Sequence, residues 1–323
     1  PSGDQGAGGG LSARGVSAHL NVQSATPWRP SGRDLILLAA LTLMWGVNWP
    51  MMKFSLRELS PLWFRAWTMS GGALLLLVFF HWRGLNLRVP RAQWLAIAWL
   101  ALPNILGWHG LSIVGLSGLP SGRAAILGFT MPVWTVLVAI LLGEQRLSRR
   151  VFISVVAATA AVGLLAAHEI NTLAGNPVAV LWMQGGALCW ALGTVLMRRS
   201  DLGLPTEAVT VWMMVLGAAC FWLVAPLFEP FPDVNTLSVG LWWSLAYGVV
   251  LNYGYAQVIW FSMAKRLPPS ASAFSIMAVP VVGTLTATFI VGEVPRATDW
   301  AAAVCVMVAI AAALIPVRAQ SRA

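Results

Sequence analysis

The sequence predicts an all-α membrane protein of ten transmembrane helices, built as a 5+5 inverted-topology repeat. Three observations carry this: scarce charge, ten apolar runs of spanning length, and a match of the chain to itself. Of 323 residues, 58% are hydrophobic and 10% charged, and the mean hydropathy is +0.76. A soluble domain spends about a quarter of its residues on charge, so no soluble core could hide this much apolar surface. The 20 Lys and Arg outnumber the 11 Asp and Glu, giving a net charge of +9, which in a soluble chain would suggest nucleic acid. Here the basic residues flank the apolar runs, so the expected partner is the lipid bilayer and no nucleic acid is expected.

A helix needs about 20 apolar residues to cross a hydrocarbon layer ~30 Å thick. Such runs lie near Leu35–Phe54, Leu62–His81, Ala92–Gly115, Arg123–Leu142 and Val151–Ala167. A second set lies near Val178–Met197, Ala208–Leu227, Val239–Ser262, Ser272–Val291 and Ala297–Ile315. Residues 1–30 are rich in Gly, Ser and Ala and lack a signal-like apolar core, so they read as a disordered tail. The halves are then 31–168 and 169–323. Cytoplasmic loops keep positive charge. Fifteen of the 20 basic residues, among them Arg83, Arg88, Arg149, Arg198 and Arg318, fall on one side of the predicted topology. Lys53, Arg57, Arg65, Arg123 and Arg296 fall on the other. Both termini are therefore expected in the cytoplasm.

The chain repeats itself. At one displacement, 148 residues, Asn104 meets Asn252, Leu119-Pro120 meets Leu267-Pro268, and Pro132-Val133 meets Pro280-Val281. One residue of slippage aligns Gly143-Glu144 with Gly292-Glu293, and a displacement of 145 sets Trp45 on Trp190 and Lys53 on Arg198. With five spans per half, the second half must enter the membrane upside down, the arrangement that many carriers use around a midplane site.

Met44-Trp45-Gly46-Val47-Asn48, Pro61 with Arg65, and Pro132 and Pro280 ahead of the two Gly-Glu pairs together resemble the drug/metabolite transporter superfamily, specifically its EamA-type exporters. Within it the chain is most similar to the YddG-type exporters of aromatic and other neutral amino acids. The resemblance implies a central cavity lined mainly by spans 1, 3, 4, 6, 8 and 9, and export of a small-molecule substrate by alternating access. Export of hydrophobic cationic drugs is the alternative within the superfamily. Thr210 stands at the position matching Arg65, so that arginine is assigned no substrate role.

The candidate substrate-binding residues are Asn48, Asn104, Trp108, His109, Trp190, Asn252, Tyr255 and Gln257. Amides and an imidazole at mid-membrane are costly without partners. They could bond a polar substrate headgroup, or the asparagines could bond neighbouring helices as packing glue. Trp45, Trp108, Trp190, Tyr253 and Tyr255 are deep enough for an aromatic wall, although aromatic packing is the commoner use. Pro132 and Pro280 each free a backbone carbonyl and are candidate hinges. No mid-span carboxylate or mid-cavity Lys or Arg is evident, which leaves His109 as the mid-span titratable group and points away from phosphate-bearing substrates. Cys189, Cys220 and Cys305 lie within apolar runs and read as buried thiols. There is no Walker A loop, His-Glu-x-x-His pair or Gly-x-Ser-x-Gly elbow. An intramembrane enzyme is therefore disfavoured, and no cofactor or metal is expected. A channel would call for a charged ring or carbonyl filter, which the repeat does not supply.

Overall fold

The computed structural model describes residues 31–171, 175–264 and 269–314, which are helical wherever they are regular. Helices α1 (Gly32–Ser55), α2 (Pro61–Trp82), α3 (Arg91–Ser117), α4 (Ser121–Leu141), α5 (Arg149–Asn171), α6 (Pro177–Arg199), α7 (Thr206–Phe228) and α10 (Ala297–Leu314) are each long and apolar enough to cross a membrane. Two more helical stretches, α8 (residues 239–264) and α9 (Pro269–Ile290), complete the described chain. Each falls within a few residues of an apolar run. The predicted tail and part of the turn between α8 and α9 lie outside the described residues.

Local chemistry sets the helix ends. Ser31 and Asp34 form a reciprocal capping box on α1, and the Asn176 side chain accepts from the Ala179 N–H at the start of α6. The first turn of α2 is capped by another segment: the Glu229 carboxylate, just beyond α7, accepts the N–H groups of Leu62 and Trp63 at 3.0 and 3.2 Å. Gly143 and Gly292 close α4 and α9 with φ of 75° and 76°, a left-handed turn that disfavours any side chain.

Packing repeats between the halves. Helix α2 packs most closely on α7 and α5 on α10, while α1 against α9 is answered by α6 against α4. This is the pairing expected of two halves related by a two-fold axis. Close approaches repeat as well. A Cβ at Gly217 would lie 2.2 Å from the Ile105 side chain, and one at Gly72 would lie 2.6 Å from Tyr253; these two pairs correspond under the repeat. Small residues let helices touch where no hydrophobic force drives them together.

The local widening of two helices was not legible in the sequence. Helix α3 widens into a π-helix over Leu102–Gly110, and α8 does so over Tyr247–Ala256. The two segments overlap under the 148-residue displacement and contain Asn104 and Asn252. Such widened turns are frequent at functional sites. Helix α4 is interrupted at Phe129 and Thr130, just ahead of Pro132, whereas α9 runs through Pro280 without a break.

Candidate functional site

Arg65 lies one turn into α2, behind Pro61 at the helix start. The sequence grouped it with loop charges, but it is only 3% exposed. Its Nε donates to the carbonyl of His109 at 3.0 Å and its Nη1 to the Tyr253 hydroxyl at 3.2 Å. That hydroxyl also faces His109 Nδ1 at 3.3 Å, with the donor set by the imidazole tautomer. The guanidinium carbon stands 5.5 Å from the Phe64 ring centre. The π segment of α3 supplies His109, the π segment of α8 supplies Tyr253, and Gly72 leaves room for the tyrosine.

An aromatic group adjoins this cluster. Trp108 meets His109 at 6.3 Å, Trp190 at 5.6 Å and Trp49 at 6.4 Å between ring centres, and Trp49 meets Phe129 at 6.3 Å, all edge-on. Where α4 breaks, Gln184 of α6 bonds the backbone and two side chains: its amide donates to the Leu127 carbonyl at 3.1 Å, and its oxygen accepts from Thr130 and Trp134. Polar satisfaction of the broken turn thus comes from both halves, since the Thr130 hydroxyl also lies 2.7 Å from the Leu127 carbonyl.

Of the residues singled out from sequence, Trp108, His109 and Trp190 come together. Asn104 donates to the Leu100 carbonyl of its own helix at 2.9 Å, and its side chain packs against Gly193. Asn48 is buried in α1, while Asn252 and Gln257 are half-buried in α8. Tyr255 is 57% exposed and stands apart from the cluster, which takes Tyr253 instead. Arg65, Trp49 and Phe129 were missed. The one signal that could have found Arg65 is its place four residues past the helix-starting Pro61, inside the helix rather than in the loop before it.

The finding that corrects the charge reading most is burial. Arg65, which the sequence grouped with the loop charges, is buried beside His109. A second buried arginine, Arg123 of α4, is 7% exposed and holds two carboxylates, Glu169 through Nη1 at 2.5 Å and Asp299 through Nε at 2.7 Å. Those carboxylates sit at the ends of α5 and α10, as expected for acidic residues here, but are buried. Nearby, Glu293 accepts from the Ser121 N–H and hydroxyl at 2.8 and 2.9 Å, and Lys53 donates to the carbonyls of Leu116 and Ser117. The repeat partner of Glu293, Glu144, pairs with Arg198 at 3.5 Å and with Arg199. The three cysteines are free and half-buried. No group of three or more His, Cys, Asp or Glu among the described residues could hold a metal ion.

Comparison with known proteins agrees with the repeat. The EamA-like transporter family matches the chain twice, over residues 33–167 and 177–315. The chain is 21% identical over 246 residues to the uncharacterized transporter YoaV of Bacillus subtilis, covering 76% of this chain and 84% of that one. It is 25% identical over 268 residues to the uncharacterized inner membrane transporter YedA of Escherichia coli, covering 82% and 85%. A Salmonella typhimurium protein named "Probable amino-acid metabolite efflux pump" is 25% identical over 301 residues, covering 86% and 93%. A solved crystal structure shares the fold with a TM-score of 0.62 at 20% identity, covering 86% of this chain and 95% of that one. With both halves matched across most of its length, the chain belongs to the EamA-like transporter family and is a multi-pass membrane transporter.

Proposed function

We propose that the protein is a secondary transporter that exports small neutral or aromatic amino acids from the cytoplasm across a bacterial inner membrane. In this reading all ten helices span the bilayer, both termini are cytoplasmic, and the halves 31–168 and 169–323 rock about the cluster of Arg65, His109 and Tyr253 with its adjoining tryptophans. The break ahead of Pro132, and Pro280 in α9, serve as hinges. The observation that carries the reading is that both halves converge on one polar and aromatic cluster: α2 and α3 of the first half supply Arg65, Trp108 and His109, and α6 and α8 of the second supply Trp190 and Tyr253. An aromatic body can lie against edge-on tryptophans while its polar end meets the arginine, hydroxyl and imidazole. The name of the Salmonella relative, an amino-acid metabolite efflux pump, supports the direction and the broader class of amino-acid metabolites.

The test is flux through the purified protein in liposomes for a panel of neutral amino acids and hydrophobic cationic drugs, with and without a pH gradient. Saturable counterflow of aromatic amino acids is expected, driven by the substrate gradient or coupled weakly to protons through His109. Flux of the cationic drugs alone would overturn the substrate assignment. Unsaturable conductance would overturn the carrier reading.

A further inference from the structure

Arg65 carries five N–H donors on a permanent charge. Nε and Nη1 are used within the cluster, but Nη2 makes no hydrogen bond among the described residues. No carboxylate of the described residues lies within 4.0 Å of the guanidinium, whereas Arg123 has two. A cation held inside the hydrocarbon layer without a counter-charge is costly, and the cost is removed by an anion that comes to it.

We infer that Arg65 is the anchor for a carboxylate of the transported molecule, so that the substrate class is a monocarboxylate with an aromatic or apolar body. One guanidinium neutralises one negative charge, which fits a carboxylate better than a phosphate dianion. Its planar fork suits the two carboxylate oxygens, and Tyr253 and His109 stand ready to complete the contact. Trp108, 6.3 Å from the His109 ring, supplies the wall for the apolar body. The amine of an amino acid is then tolerated rather than required, and hydrophobic cations are excluded by charge. The assignment rests on the transporter reading above and narrows it.

The experiment uses four probes on the full-length protein: L-phenylalanine, 3-phenylpropionate, L-phenylalaninamide and phenethylamine. Binding is read from thermal stabilisation in detergent, and flux from counterflow in liposomes. Both acids are expected to bind and to compete with one another. The amide and the amine should bind at least about tenfold more weakly, because each forfeits a charge-assisted pair. In Arg65→Gln the gap between acids and amines closes; Arg65→Lys, which keeps the charge but loses the fork, retains part of it. Equal binding of acids and amines by the unaltered protein would overturn the anchor and leave the export reading standing, a comparison that needs no variant to fold. An equal loss of all four probes in Arg65→Gln would reduce the residue to a structural part. Selective binding of the acids with no flux would keep the anchor and overturn export. No response to any probe would overturn both.

Discussion

Among the described residues two arginines are buried, and their surroundings differ in kind. Arg123 is clamped between Glu169 and Asp299, beside the Glu293 carboxylate that caps the same helix, so three acidic groups from α5, α10 and the end of α9 converge on the start of α4. Arg65 is as deeply buried, but among the described residues its guanidinium meets a carbonyl, a phenol and an aromatic face and no carboxylate. A buried ion with its counter-ions in place ties helices together, and removing one member leaves the others stranded. A buried ion without them is costly in the resting protein and is retained where something else uses the charge.

The largest effect expected from this contrast is on folding. Arg123→Gln strands two buried carboxylates and should cost roughly 3–5 kcal/mol, read as a large fall in melting temperature in detergent. Gly72→Ala should cost about 1–3 kcal/mol, because its Cβ would sit 2.6 Å from Tyr253 and must push that side chain aside. It should also weaken binding of L-phenylalanine, since the same tyrosine holds Arg65. Trp190→Ala removes one of the edge-on partners of Trp108. It should cost ~0.5–1.5 kcal/mol in affinity for L-phenylalanine and less for an aliphatic amino acid, measured by competition. The smallest effect concerns an exposed link between the α1–α2 connection and the start of α8. Hydrogen bonds from the Ser238 hydroxyl and N–H hold the Glu58 carboxyl below its ordinary range. Because the folded form favours the ionised state, the link contributes above the ordinary carboxylate range and is lost as pH falls through the lowered value. Glu58→Gln should remove that small acid dependence from the melting temperature and leave transport unchanged.

Much of the fold was legible because bilayer thickness dictates run length and because the repeat left marks at Gly143-Glu144 and Gly292-Glu293. The site was legible only in part. Trp108, His109 and Trp190 stood out as deep polar or aromatic residues. Tyr253 and Tyr255, two residues apart on one helix, point to different sides, and what selects Tyr253 is the vacant space over Gly72 on another helix. The π segment of α8 contains no proline and has no sequence mark, since it is a choice of hydrogen-bond register. Arg65 was misplaced because hydropathy assigns a charge near a span end to the interface, whereas this side chain turns inward to the His109 carbonyl.

The most direct measurement is a side-by-side comparison of Arg65→Gln and Arg123→Gln for melting temperature and for L-phenylalanine flux in liposomes. Arg65→Gln is expected to melt close to the unaltered protein while its flux falls at least about tenfold, and Arg123→Gln is expected to lose stability first. An Arg65→Gln protein that transports L-phenylalanine at the original rate, or that unfolds as readily as Arg123→Gln, would contradict the division between a structural and a substrate-binding arginine.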